Sequence, residues 1–187
     1  LHDALPIYSN CDEVELFVNG RSLGRKSMPR NGHLKWTAVY KPGSLRAVGY
    51  SKGKRILTEK IETTLEASSI VLSPDRSTIS ADGRDVCVVT VCLKDKKGRT
   101  VPDACPELEL SLSGDGRILG VGNGDPSWNG AENPGDKDCR SFRVKAFNGL
   151  AQVLVQSGKT AGTLTLTCTG EGLSSSTLTL PLLAPQS

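Results

Sequence analysis

Hydrolysis of a sugar bond needs two carboxylates held roughly 5–10 Å apart across it. The chain has 20 Asp and Glu, but Asp75, Asp82, Asp95 and Asp115 all stand in turn sequences. Asp in a turn is accounted for by hydrogen bonds to nearby backbone, so no catalytic pair is assigned. The two histidines, His2 and His33, lie near no nucleophile-elbow pattern. The six cysteines are Cys11, Cys87, Cys92, Cys105, Cys139 and Cys168, and none forms a Cys-x-x-Cys pair. Zinc and thiol-redox chemistry are therefore unsupported. The cysteines read as free thiols acting as small hydrophobes, with the even count leaving disulfides open. Gly120-Val121-Gly122-Asn123-Gly124 is glycine-rich, but no helical pattern follows it to present an N-terminus to phosphate. The expectation is a chain with no catalytic residue, no metal and no cofactor.

One segment stands out. Residues 120–139 are long, polar and turn-rich, and they hold Trp128 beside Asn123, Asp125 and Asn129. Long loops in compact domains tend to be functional or disordered. Trp128 could anchor an interface with a neighbouring domain, as large aromatics do. It could instead stack on a sugar while the amides and carboxylate bind hydroxyls, or fold back against the end of its own sandwich. A calcium site on Asp125, Asp136 and Asp138 fits no EF-hand spacing. The leading reading is interdomain contact, with Trp128 largely exposed when no neighbour covers it.

The elements that must carry this segment are strands. Turn dipeptides recur at short intervals, among them Asn19-Gly20, Lys52-Gly53, Asp82-Gly83, Lys97-Gly98, Asp115-Gly116 and Asn148-Gly149. Short Val-, Leu-, Ile- and Thr-rich segments lie between them, and no window has a helical period. Val14, Leu16 and Val18 alternate with Glu13, Glu15 and Phe17, ahead of an Asn-Gly pair suited to a type I′ hairpin. Leu34, Trp36, Ala38 and Tyr40 alternate with polar residues and read as core. Lys54–Thr63 reads as one more strand. Val89, Val91 and Leu93, and later Leu164 and Leu166, predict one buried face each.

The chain has 187 residues and a net charge of +3, too balanced to suggest a nucleic-acid binder. No run of about 18 apolar residues predicts a membrane helix. Aromatics are 4% of the chain, thin for a sugar-binding face. Residues 1–63 carry 11 basic and 6 acidic side chains, and residues 64–187 carry 12 and 14. The charge shift places a domain boundary near residue 64. The fold class predicted is all-β: two consecutive Ig-like β-sandwich domains, 1–63 and 64–187.

Several stretches resemble a known family. Tyr8-Ser9-Asn10-Cys11, Val14-Glu15-Leu16 and Asn19-Gly20-Arg21-Ser22-Leu23-Gly24 resemble a segment of bacterial glycoside hydrolase family 2 enzymes, the β-galactosidase group. There it belongs to a small β-sandwich domain of unknown function. Ile70-Val71-Leu72-Ser73-Pro74-Asp75-Arg76 and Ala146-Phe147-Asn148-Gly149-Leu150 are similar to the C-terminal Ig-like domain of the same enzymes, as is the glycine-rich run from Gly120 to Pro126. The resemblance implies non-catalytic C-terminal domains with a structural or interdomain-packing role. Their partners would be the upstream domains of a periplasmic or secreted enzyme that hydrolyses terminal β-galactosides. The catalytic residues would lie on an upstream barrel. The alternative is a carbohydrate-binding or adhesin-type Ig-like module. Nucleic acid and membrane are not expected partners. Leu1–Ile7 departs from the family pattern, with a proline near its end and no alternation. It therefore reads as foreign residues on a first sandwich that lacks its opening strand and is less stable than the second.

Overall fold

Positive φ at both Asn19 (49°) and Gly20 (82°) closes a two-residue hairpin, the geometry that the right-handed twist of paired strands favours. The computed structural model describes residues 2–128, 130 and 139–185. Among these every regular element is a strand, and the chain divides into two compact units, Leu1–Thr63 and Thr64–Ser187.

The first unit contains β1 (His2–Ile7), β2 (Glu13–Val18), β3 (Arg21–Ser27), β4 (Leu34–Val39), β5 (Ser44–Ser51) and β6 (Lys54–Glu62). β1 and β4 form one antiparallel sheet, and β3-β2-β5-β6 form a four-stranded one. Val14 and Leu16 of β2 are buried, with Leu34 and Trp36 of β4 and Cys11. On the opposite face of the four-stranded sheet polar groups satisfy one another. Arg25 pairs with Glu13 at 2.5 Å and lies 3.7 Å over the Tyr50 ring, and the Tyr50 hydroxyl donates to Glu15 at 2.9 Å.

Two expectations fail here. The opening strand is present: β1 pairs with β4 along its whole length, from His2 opposite Val39 to Ile7 opposite Leu34. Leu5 and Ile7 turn inward and pack on the core, while Pro6 is exposed. An alternation of only two apolar residues is too short to stand out. Proline, which lacks an N–H, is tolerated on a strand paired along one side. Tyr40 is not core but 65% exposed. The strand ends at Val39, so the parity that buries Trp36 no longer governs Tyr40, whose hydroxyl lies 3.1 Å from Thr63 Oγ1.

The second unit contains β7 (Ala67–Pro74), β8 (Ile79–Ser80), β9 (Val86–Asp95), β10 (Glu107–Ser113), β11 (Gly116–Gly122), β12 (Ser141–Lys145), β13 (Leu150–Ser157), β14 (Gly162–Gly170) and β15 (Ser176–Leu183). Two sheets, β11-β13-β9-β7 and β12-β10-β14-β15-β8, pack face to face. Among the described residues the paired strands of this unit are antiparallel except β15 with β8, which runs parallel through Leu182 opposite Ile79. Val89, Val91, Leu93, Leu164 and Leu166 are fully buried, as alternation predicts for a strand with one dry face. At the Asn148-Gly149 turn a Cβ on Gly149 would lie 2.1 Å from the Val101 carbonyl oxygen. Glycine is required there by contact as well as by its φ of 76°.

Cysteine behaves as expected of a small hydrophobe. Cys11, Cys87, Cys139 and Cys168 are buried, Cys92 is half-buried and Cys105 exposed, and all six are free thiols. Burial raises the thiols of Cys87 and Cys168 to about 11, with the Asp75 carboxylate adding to the effect at Cys87.

Candidate functional site

The segment that leaves β11 is built from short-range side-chain bonds. Asn123 is buried, and its amide donates to the Lys145 carbonyl at 2.9 Å, tying the loop to the end of β12. Its Oδ1 accepts the Asp125 amide at 3.0 Å. Asp125 in turn accepts the Ser127 amide at 2.8 Å and the Ser127 hydroxyl at 2.7 Å. The Ser127 hydroxyl, then the Ser127 amide, hold the Asp125 carboxyl below its ordinary range. This is the Asx-turn chemistry that makes Asn and Asp common in turns.

The turn decides where the tryptophan goes. Trp128 N–H donates to the Asp125 carbonyl at 3.1 Å. The chain doubles back, and the half-buried Trp128 side chain packs against the core of the second unit. The expectation of a largely exposed Trp128 is corrected on this point, because an indole gains more from apolar contact than from water. Asn123 and Asp125 face their own backbone, and Trp128 faces its own core. Asn129 lies outside the described residues, as do Asp136 and Asp138 of the calcium reading. Among the described residues no three His, Cys, Asp or Glu come together as a metal site.

The other acids also serve the backbone. Asp75 accepts the Val88 amide and pairs with Arg76, whose guanidinium lowers its carboxyl to about 2. Asp82 accepts the amides of Arg84 and Asp85, and Asp115 accepts that of Thr160. Asp95 is the most enclosed of them, 2% exposed. Burial by itself would raise its carboxyl. Arg99 together with the amides of Leu65, Arg99 and Lys97 outweighs that and holds it well below the carboxylate range. Asp95 thus fastens the start of the second unit to the β9 turn.

A feature without a marker in the sequence pattern lies in the first unit. The sequence of β6 predicts a strand but not which side is buried, and Ile56, Leu57 and Ile61 are 59%, 47% and 67% exposed. Leu57 and Ile61 border an open, largely apolar groove of about 220 Å³, with Leu45 and Ala47 of β5 and with Ile7 and Tyr8. The available signal was a strand with three large aliphatics in a domain too short to cover them.

Comparison with known proteins gives these features a context. Residues 70–179 match the family model of glycoside hydrolase family 2 C-terminal domain 5, and residues 4–57 match a domain of unknown function, DUF4982. The second match begins inside β1, so residues 4–7 are part of it. The β-galactosidase BoGH2A of Bacteroides ovatus is 38% identical over 168 residues, covering 89% of this chain and 19% of that protein. A β-glucuronidase of Formosa agariphila is 28% identical over 180 residues, 93% of this chain and 17% of its own length. Among solved structures, a β-glycosidase from Bacteroides vulgatus superposes with a TM-score of 0.83 at 32% identity, over 97% of this chain and 22% of that one. A glycosyl hydrolase family 2 member from Bacteroides cellulosilyticus gives 0.87 at 34%, over 96% and 24%. The chain spans about a fifth of the length of these relatives.

Proposed function

Since the chain belongs to the C-terminal region of glycoside hydrolase family 2, we propose that it is a non-catalytic accessory region that packs against other domains of a β-galactosidase. The parent enzyme would cleave terminal β-galactosides in the periplasm or outside the cell. One observation carries the reading. Across about a fifth of the relatives' length, the acids that the sequence places in turns and that the structure describes, Asp75, Asp82, Asp95, Asp115 and Asp125, are each bonded to backbone amides or to an arginine and are not held as a pair. A retaining or inverting glycosidase needs such a pair.

The substrate class rests on the name of the Bacteroides ovatus relative, and the location on the family resemblance. A sugar-binding role for Trp128 gains no support from a side chain packed on its own core.

The experiment compares three proteins on nitrophenyl β-galactoside: the purified chain, a full-length enzyme containing it, and that enzyme with the chain deleted. The chain alone is expected to be inactive, and the deletion to lower the melting temperature of the remainder. Turnover that follows the isolated chain through purification and vanishes on mutating one acidic residue would overturn the proposal.

A further inference from the structure

The first unit is an unequal sandwich. Four strands stand on one side and two on the other, and at about 4.8 Å per strand two strands cover only half of four. The better covered half carries β2, whose buried Val14 and Leu16 cluster with Trp36 and Leu34 of β4 and also reach the inner end of the groove. The half left open is β5 and β6, where the groove floor is Leu45, Ala47, Leu57 and Ile61. Its wall is the end of β1, through Ile7 and Tyr8, and no residue of β4 lines it. β1 pairs with β4 alone, so its other edge presents unpaired backbone groups, among which Pro6 offers a carbonyl but no N–H. Between Leu57 and Ile61, on the same face and opposite Ala47, stands Glu59. The salt bridge of β6 joins Lys60 to Glu62 and leaves Glu59 out.

We propose that this groove receives an extended segment of the parent polypeptide. The segment pairs with the free edge of β1, sets alternate aliphatic side chains over Leu57 and Ile61, and places a Lys or Arg against Glu59. Apolar floor, unpaired strand edge and unanswered carboxylate together specify a strand rather than a small ligand. Relatives about five times the length of this chain carry polypeptide to supply it. The inference rests on the accessory reading above and names the surface through which it works.

The test tethers the occupant. A ten-residue strand of alternating Val and Thr, with one Lys on the Val face, is joined by a short Gly/Ser linker ahead of residue 1. Tethering supplies a millimolar effective concentration. Backbone amides of β1 are expected to exchange on the order of tenfold more slowly than in the untethered chain. Leu57→Glu and Ile61→Glu, at exposed positions that the fold does not need, should each abolish that protection while leaving the untethered melting temperature unchanged. Glu59→Lys should reverse the preference, so that a strand carrying Glu protects better than one carrying Lys. Absence of protection, protection that survives both groove variants, or indifference to the charge swap would overturn the proposal. None of these readouts uses glycosidase activity. A failure here therefore leaves the accessory reading standing, and a failure there leaves the groove testable.

Discussion

The two units solve the same problem with different amounts of material. Among the described residues the second buries twenty-three apolar side chains in one cluster between two broad sheets, and the first buries five. The share of surface a domain can hide falls with its size, so the small unit leaves more of its large apolar side chains exposed than the large one does. A thin core and an uncovered groove are one fact seen from inside and outside. The first unit is expected to be the weaker for this reason.

The largest effect should come from the thick core. Leu164→Ala is expected to cost the second unit about 2–5 kcal/mol, from lost burial plus the cavity left behind, and Val91→Ala about 1–3 kcal/mol. Both are read from denaturation midpoints. A change confined to the transition of the second unit would sharpen the contrast. An unchanged midpoint would show that the facing of these strands is misread. Native-state hydrogen exchange extends the test, with β2 and β5 expected to open at lower free energy than β9, β13 and β14. The reverse order would break the comparison.

Trp128→Ala should fall between, costing the second unit about 1–3 kcal/mol because the indole is half-buried. Galactose and galacto-oligosaccharides should leave the tryptophan fluorescence of the parent chain unchanged. Saturable quenching lost in Trp128→Ala would restore the sugar-contact reading.

Much of this was legible in the residues. Val89, Val91, Leu93, Leu164 and Leu166 lie in alternations long enough to fix a face, and Asn19-Gly20 names its own turn. What stayed hidden depends on where a pattern stops or what lies across from it. Tyr40 continues the parity of Trp36 on paper, but the strand ends one residue earlier. Leu5 and Ile7 make a two-point alternation that Pro6 disguises. Trp128 sits in a polar string whose Asn123 and Asp125 look like sugar ligands until their partners turn out to be Lys145 and Ser127. The exposure of Leu57 and Ile61 depends on the number of strands in the facing sheet, which no local pattern in β6 records.

Acid should act smoothly on the second unit. Asp75 titrates near 2 in the folded chain, and Asp95 is also held below its ordinary value, against about 3.9 for an unfolded Asp. A lowered folded value means the stabilisation is present in full above about pH 4 and is lost as the pH falls toward 2. Asp95→Asn should flatten this acid limb when melting temperature is followed from pH 6 to 2. An unchanged limb would remove Asp95 as its source.

The smallest effect is chemical rather than structural. Cys105 is exposed, whereas Cys87 and Cys168 are buried with raised thiols. A thiol reagent under native conditions should therefore modify Cys105 first, and Cys87 and Cys168 only as fast as the second unit opens. Early modification of Cys168 would mean that this core breathes more than its packing suggests.

The parallel pairing of β15 with β8 bears on the order of events in folding. Leu182 meets Ile79 across about a hundred residues of chain, and closing a loop of that length is entropically slow to begin even though each further residue adds little. In a growing polypeptide the β8 edge must wait for nearly the whole second unit to be made before its neighbour exists. The first unit, whose described strand pairings all lie within its own 63 residues, can fold before that. During synthesis the thinner domain is therefore the older one, and the thicker core forms last and together.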